Sequence, residues 1–154
     1  MNDRIGQLKQ ERGIALVETA ICLPVLLFVM LAAGEITNVF MQHSTLTKAV
    51  RDGSRHAAGK AINHGAKVFD LNAGLVNETR NLVVFGNASG SGTPVLPNLT
   101  VGAVTVMDAG GEIVEVRATY GYTGIIGAVL PAFGFGANHS LGFNLEASIR
   151  MRAL

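Results

Sequence analysis

Residues 14–33 read IALVETAICLPVLLFVMLAA, and this stretch determines what the rest of the chain can be. Its only charged residue is Glu18, and its length matches the roughly 20 apolar residues that an α-helix needs to cross the hydrocarbon core of a bilayer. We therefore predict a helix that spans a lipid bilayer. Pro24 removes one hydrogen bond inside this helix and is expected to kink it.

The flanking charges indicate an orientation. Arg12 lies two residues before the apolar segment, whereas the first cation after it is Lys48, fifteen residues beyond residue 33. Because cations beside a membrane segment keep that end in the cytoplasm, we predict a cytoplasmic N-terminus and an extracytoplasmic C-terminal part.

Three other interpretations of this segment stay open. A cleaved secretory signal needs small residues before its cleavage site, but Leu31 occupies one of those positions. A lipid-modified Cys22 needs a small residue before it, where Ile21 stands. A buried helix of a soluble protein would carry polar residues every three or four positions, and residues 20–33 carry none.

Composition excludes several classes of protein. The 154 residues carry 12 Lys or Arg against 11 Asp or Glu, which leaves no basic excess for binding nucleic acid. The single cysteine excludes an internal disulfide and a cysteine-based zinc site. The four histidines are scattered, and we find no phosphate-binding loop, nucleophile elbow or HExxH motif. We therefore expect no enzymatic activity, no cofactor and no metal.

The helical period continues beyond the apolar segment, so that one helix is expected over residues 14–62. We expect its apolar stripe to pack either on the chain's own C-terminal domain or on equivalent helices of other subunits. A separate basic row, Lys48, Arg51 and Arg55, is typical of a solvated helix face, with contact to lipid headgroups as the alternative. The predicted stripe consists of Ile36, Val39, Phe40, His43, Leu46, Val50, Gly53 and Ala57.

The C-terminal third has the two-residue period of β-strands. Residues 99–107 and 113–120 flank a turn at 108–111 that suits a hairpin, and residues 140–152 alternate most regularly. We predict an α+β protein, with a long N-terminal helix followed by a small antiparallel sheet. Residues 123–136 are apolar but contain four glycines and Pro131, so they form either a loop over the sheet or an exposed surface for a neighbouring subunit.

These patterns divide the chain into five parts. Residues 1–13 form a cytoplasmic leader, 14–33 the transmembrane helix and 34–62 its amphipathic extracytoplasmic continuation. Residues 63–98 form an irregular or helical connection, and residues 99–154 the antiparallel sheet domain.

The N-terminal segment also resembles a known family. The runs RGIALVETA at 12–20, LPVLL at 23–27 and Gly34-Glu35 are similar to the signature of TadE-like minor pilins, or pseudopilins, of tight-adherence (Flp-type, type IV-like) pilus systems. Gly followed by four residues and Glu resembles the type IV prepilin processing site. The resemblance implies cleavage between Gly13 and Ile14 by a prepilin peptidase.

Glu18 has a role in this interpretation. Cleavage after Gly13 would create an α-amino group at Ile14, one helical turn from the Glu18 carboxylate, and the two could pair within a subunit or between neighbouring subunits. The alternative is that Glu18 lies near the headgroups and has no function.

The resemblance implies a structural or assembly subunit, at initiation or at the tip, of an adhesion pilus in the bacterial inner membrane. Its expected partners are prepilin peptidase, other minor or major pilins and the pilus assembly platform. The alternative function is an uncleaved single-pass envelope protein whose outer domain binds a partner or a surface polysaccharide.

Overall fold

The computed structural model describes residues 2–63, 68–122, 124, 129–130, 139–140 and 142–153; for residues 2–14, 63, 129–130 and 139–140 it describes the backbone only. The protein has an α+β fold, in which a long N-terminal helix is followed by a second helix and a small antiparallel sheet. The predicted fold class is confirmed.

Helix α1 runs over Asn2–Lys60, 59 residues, which corresponds to about 88 Å at 1.5 Å per residue. It passes through Pro24 and ends two residues before the predicted boundary at residue 62. The chain then forms β1, Ile62–Asn63, which pairs antiparallel with β2, Val68–Phe69. The residues between these two short strands lie outside the described part of the chain.

Helix α2 covers Ala73–Phe85, inside the segment that we predicted as a helical or irregular connection. The Asn72 side chain caps its N-terminus by accepting the Leu75 amide at 2.9 Å. Gly86 ends it in the left-handed conformation, with φ 72°, and its amide bonds the Leu82 carbonyl at 2.9 Å. Both caps satisfy backbone groups that would otherwise lack partners.

Three strands form the main sheet, in the order β3-β4-β7, with every neighbouring pair antiparallel. Strand β3 covers Val104–Asp108, β4 covers Ile113–Gly121, and β7 covers Asn144–Arg152. A two-residue pair, β5 Val129–Leu130 with β6 His139–Ser140, lies between β4 and β7 in sequence. Most of the apolar segment 123–136 lies outside the described residues.

The hairpin between β3 and β4 confirms the predicted turn. The Asp108 carboxylate accepts the Gly110 amide at 2.7 Å, and Gly110 and Gly111 both have positive φ, 84° and 64°. The predicted start of the first strand at residue 99 was wrong, because the backbone forms a 3₁₀ turn at Val101–Ala103 before it extends. The third strand begins at Asn144 instead of residue 140.

The core lies between α1, α2 and the inner face of the sheet. The inner face of β4 follows the predicted two-residue period, and its four alternate side chains are all buried: Val114, Val116, Ala118 and Tyr120. On α1, Leu46, Val50 and Ala57 are fully buried.

The helix approaches α2 at Gly53, where a Cβ atom would lie 2.5 Å from Val83 Cγ2. At this distance a side chain at position 53 fits only if the Val83 side chain or one of the two helices moves.

The predicted stripe of α1 was wrong at its N-terminal end. Ile36 and Phe40 are 58% and 71% exposed, and His43 is also exposed. The observed seam instead begins one position earlier, at Glu35, and continues through Val39, Gln42 and Leu46 at three- and four-residue steps. The domain therefore covers polar residues here, because it supplies hydrogen-bonding groups of its own.

Candidate functional site

The N-terminal part of α1 stands clear of the domain. We call residues 15–34 the free half of α1 and residues 35–60 the docked half. In the free half every side chain is exposed except the half-buried Pro24 and Ala32, and Leu16 and Met30 reach 71% and 74% exposure. Within the described residues, α1 is the one helix long and apolar enough to cross a membrane, and its most apolar window has no buried residue. Since a core helix would be buried, the free half has the character of a membrane anchor.

The predicted processing residues lie at the beginning of this anchor. Gly13 and Ile14 belong to the continuous backbone of α1, and Glu18 follows Ile14 by one turn. The Glu18 side chain is exposed and, among the described residues, makes no hydrogen bond or ion pair. Thr19 donates its hydroxyl to the Ala15 carbonyl at 2.8 Å. None of these described contacts reaches the sheet domain.

A buried carboxylate marks the point where the domain begins to cover α1. Glu35 is 4% exposed, and its Oε1 accepts the Tyr122 hydroxyl at 2.6 Å. Asn38 Nδ2 donates to the same phenolic oxygen at 3.1 Å. We call these three residues the Glu35 junction. It connects the first docked turn of α1 to the end of β4, 87 residues away in sequence.

Tyr122 is held in place from two further directions. Its ring stacks on Phe143 with a centroid distance of 4.9 Å and an interplanar angle of 17°. Its amide bonds the Phe143 carbonyl at 3.0 Å. Burial raises the pKa of the Tyr122 phenol, and the hydrogen bond that the phenol donates to the Glu35 carboxylate raises it further, because this bond needs the protonated hydroxyl. The phenol therefore stays protonated and acts as the donor.

Sequence reasoning missed this junction. Glu35 entered only as part of the family signature, and Tyr122 lies between the predicted strand 113–120 and the apolar segment 123–136, without a predicted role. One available signal was spacing, since Glu35 lies four residues before Val39 and seven before Gln42, on the face that continues to Leu46. Hydrophobicity pointed instead to Ile36 and Phe40.

A second polar contact joins α1 to α2. Glu78 Oε2 accepts Lys60 Nζ at 2.9 Å and lies 3.2 Å from His56 Nε2. These bonds lower the pKa of the Glu78 carboxyl, with the Lys60 bond as the largest cause.

The outer face of the sheet carries a third carboxylate cluster. Glu115 is 3% exposed because other polar side chains cover it, not because it enters the core. Its oxygens accept Arg150 Nε at 2.7 Å, the Ser148 hydroxyl at 3.0 Å and Arg117 Nη2 at 3.1 Å. The hydrogen bond from Arg150 is the main cause that lowers the pKa of this carboxyl.

The predicted basic row lies on the side of α1 that the domain leaves uncovered. Lys48, Arg51 and Arg55 are all exposed, and none makes a hydrogen bond or ion pair with any described residue. The spacing of three and four residues places the three cations along one face of the helix.

Residues 13–55 match the family model described as TadE-like protein. The resemblance noted for residues 12–35 is confirmed over this longer segment, which contains Gly13, Ile14, Glu18 and the Glu35–Asn38 part of the junction. It covers the free half and most of the docked half of α1 but none of the sheet domain. No curated protein and no solved structure gives a match to the chain.

Proposed function

We propose that this protein is a minor pilin or pseudopilin, a structural or assembly subunit of a tight-adherence pilus, with no enzymatic activity of its own. The observation that carries the proposal is the TadE-like match over residues 13–55, which contains both the processing motif and the apolar anchor. The proposed location is the bacterial inner membrane, with the N-terminus cytoplasmic and the sheet domain outside.

The geometry of α1 supports this role. The free half presents apolar side chains in all directions, so one segment could lie first in a bilayer and then among the helices of an assembly. The docked half carries the domain at a fixed position along the same helix. A subunit built in this way transfers its domain from membrane to pilus without refolding.

Processing between Gly13 and Ile14 completes the proposal. It would remove a leader with three basic and two acidic residues and leave 141 residues, with nine charges of each sign. The new α-amino group at Ile14 would lie one turn from Glu18, in a low-dielectric environment where an unpaired charge is costly.

Intact mass and N-terminal sequencing of the membrane-extracted protein test the proposal. We expect a start at Ile14 in cells with the pilus prepilin peptidase and a start at Met1 in cells from which the peptidase is deleted. A start at Met1 in both would favour the uncleaved envelope protein. A start near Gly34 would identify a secreted domain.

Glu18→Ala tests the charge role separately. We expect the variant to be processed but to fail in assembly, measured as recovery of the subunit in a complex with other pilus proteins. Thr19→Ala, one residue away and without a charge, is the matched control and should assemble normally. Normal assembly of Glu18→Ala would leave Glu18 without the proposed role.

A further inference from the structure

The end of the sheet domain nearest the free half of α1 exposes apolar side chains. On α1, Ile36 is 58%, Phe40 71% and Met41 66% exposed. On the sheet, Phe143 lies just before β7 and is 42% exposed, although one side of its ring stacks on Tyr122. We call Ile36, Phe40, Met41 and Phe143 the apolar belt. Exposure of such a surface to water is unfavourable, so the belt requires a partner.

Position along α1 places the belt beside the bilayer. With residues 14–33 across the apolar core, Ile36 lies about 5 Å and Phe40 about 10 Å beyond the core at 1.5 Å per residue. The headgroup layer occupies about 5–8 Å on each side of the core. Side chains of a helix lean toward its N-terminus, which is the membrane side here. The part of the belt on α1 therefore reaches the headgroup layer.

The Glu35 junction brings the sheet domain to the same height. Glu35 lies two residues beyond the predicted span, and its carboxylate is 2.6 Å from the Tyr122 hydroxyl. The Tyr122 ring lies 4.9 Å from the ring of Phe143, measured between centroids. The end of β4 and the beginning of β7 therefore lie next to the headgroup layer, together with Ile36.

Charged side chains are kept away from this height. Among residues 19–47 the one Lys, Arg, Asp or Glu is Glu35, and it is only 4% exposed because Tyr122 and its neighbours cover it. This segment is about 44 Å long at 1.5 Å per residue, and a bilayer with its headgroups is about 40–45 Å thick. The connection from β4 to β7 likewise has no charged residue between Arg117 and Glu146. Both segments thus have the composition of lipid-contacting surfaces.

We propose that the sheet domain itself binds the bilayer, because the apolar belt inserts into the outer headgroup layer and the domain rests on the lipid surface. The contact is apolar and needs no anionic lipid. Aromatic side chains such as those of Phe40 and Phe143 suit this layer. The inference rests on the proposed function, which places α1 in a membrane, and it adds a second lipid contact that the domain makes.

A matched position lies at the far end of the sheet. Met107 is 42% exposed, the same fraction as Phe143. It pairs with Glu115, seven residues before Tyr122 along β4, which corresponds to about 23 Å at 3.3 Å per residue. Its strand packs against α2, and α2 contacts α1 at Gly53, about 27 Å along the helix from residue 35. Met107 should therefore lie in water when the belt lies in the headgroup layer.

The test uses tryptophan, which the natural chain does not contain. Each variant of the full-length chain is placed in phosphatidylcholine vesicles, with and without acyl chains brominated near the headgroup, because bromine quenches an indole that it contacts. We expect loss of emission for Phe143→Trp, in which an aromatic ring is kept beside Tyr122, and for Leu26→Trp inside the span. We expect no loss for Met107→Trp. Equal quenching of Phe143→Trp and Met107→Trp would overturn the inference.

A second reporter protects the test against damage to the aromatic stack. Asn144→Trp, at the exposed first residue of β7, leaves Phe143 and Tyr122 unchanged. Quenching of either reporter supports the inference. No quenching in both, with Leu26→Trp quenched, would overturn this inference alone. No quenching of Leu26→Trp would overturn the membrane location, and with it the proposed function.

Substitutions in the belt separate lipid binding from the height that the anchor imposes. In the Phe143→Trp chain, Ile36→Gln, Phe40→Gln and Met41→Gln together should reduce the quenching, because polar side chains favour a position farther from the acyl chains. Unchanged quenching would show that the belt does not bind lipid. The control, which should keep the quenching, changes three exposed apolar side chains outside the belt: Val68→Gln, Val95→Gln and Met107→Gln.

A lipid arm tests whether the contact is apolar. We expect the same quenching of Phe143→Trp in phosphatidylcholine and in phosphatidylglycerol vesicles, at low and at high salt, because the belt carries no charge. Quenching confined to phosphatidylglycerol at low salt would assign the contact to Lys48, Arg51 and Arg55 and would overturn the inference.

Discussion

The free half and the docked half of α1 belong to one helix but differ in which side chains they expose. The free half exposes Leu16, Leu26 and Met30, although these are among the most apolar side chains of the chain. The docked half buries Glu35 and Ser54 while Phe40 stays exposed. Burial along α1 therefore does not follow hydrophobicity alone. It follows which surfaces the domain covers, and the apolar surfaces that remain require lipid or another protein.

The docked half is stabilised by three different kinds of contact. Apolar packing is centred on Leu46 and Val50, close backbone approach occurs at Gly53, and hydrogen bonds are formed at Glu35. The free half has none of these among its described side chains apart from hydrogen bonds within the helix. Substitutions matched between the halves should therefore differ sharply in their effect on the domain.

The largest difference is expected for leucine truncation. Leu46→Ala removes a side chain with 0% exposure and should lower the free energy of unfolding of the domain by about 2–5 kcal/mol. Leu26→Ala, at 68% exposure in the free half, should leave it unchanged. Urea unfolding of the full-length chain in detergent, followed by the near-ultraviolet circular dichroism of Tyr120 and Tyr122, measures both. Equal destabilisation by the two would contradict the division of α1.

A smaller difference is expected among the glycines of α1. Gly53→Ala places a Cβ atom 2.5 Å from Val83 Cγ2, so the Val83 side chain or one of the two helices must shift, at a cost of about 1–3 kcal/mol. Gly59→Ala and Gly34→Ala meet nothing within 4 Å. Since alanine favours a helix, Gly59→Ala should stabilise the docked half by about 0.5–1 kcal/mol.

The same urea experiment measures the stability of Gly53→Ala and Gly59→Ala. Helix content from far-ultraviolet circular dichroism provides a check on Gly34→Ala. A loss of domain stability in Gly59→Ala as large as that in Gly53→Ala would show that the contact with Val83 is not the cause.

The next effect concerns the Glu35 junction. Tyr122→Phe keeps the stack on Phe143 but removes the hydroxyl that donates to Glu35, and should destabilise the domain by about 1–2 kcal/mol. The same urea experiment compares Tyr122→Phe with the natural chain. An unchanged urea midpoint in Tyr122→Phe would contradict the role of the junction.

Alkaline pH tests the same bond. The folded-state pKa of Tyr122 is raised above its ordinary value of 10.0, so the stabilisation is present below that value and is lost as the pH rises through the folded-state pKa. The urea midpoint of the natural chain should therefore fall at alkaline pH, and Tyr122→Phe should fall less. Tyrosinate absorbance reports the titration directly.

Much of the architecture could be predicted because it depends on local periods. Three patterns each indicate one kind of structure: the apolar run at 14–33, the alternation of Val114, Val116 and Ala118, and the turn at Asp108. The family resemblance was likewise carried by residues close together in sequence.

The Glu35 junction and the Glu115 cluster could not be predicted, because each joins residues that are far apart in sequence. Glu35 is a partner for Tyr122 only after β4 has packed on α1, and Glu115 is covered only after β7 brings Arg150 beside it. The predicted stripe of α1 therefore began at Ile36 instead of Glu35, because a stripe chosen by hydrophobicity cannot anticipate a buried carboxylate. The start of β3 was misjudged for a similar reason, since the turn at residues 101–103 interrupts an otherwise apolar pattern.

The smallest effect is expected at the ion pairs between α1 and α2. The folded-state pKa of Glu78 is below its ordinary value of 4.5, chiefly because Lys60 donates to it, so its contribution to stability is present above that value and is lost as the pH falls through the folded-state pKa. Glu78→Gln should therefore reduce the acid sensitivity of the urea midpoint, and Lys60→Gln should reduce it in the same direction. Gly59→Ala, one residue from Lys60, should leave the acid sensitivity as it is. If Glu78→Gln left the acid slope unchanged, the contact between α1 and α2 would depend on packing at Gly53 and not on charge.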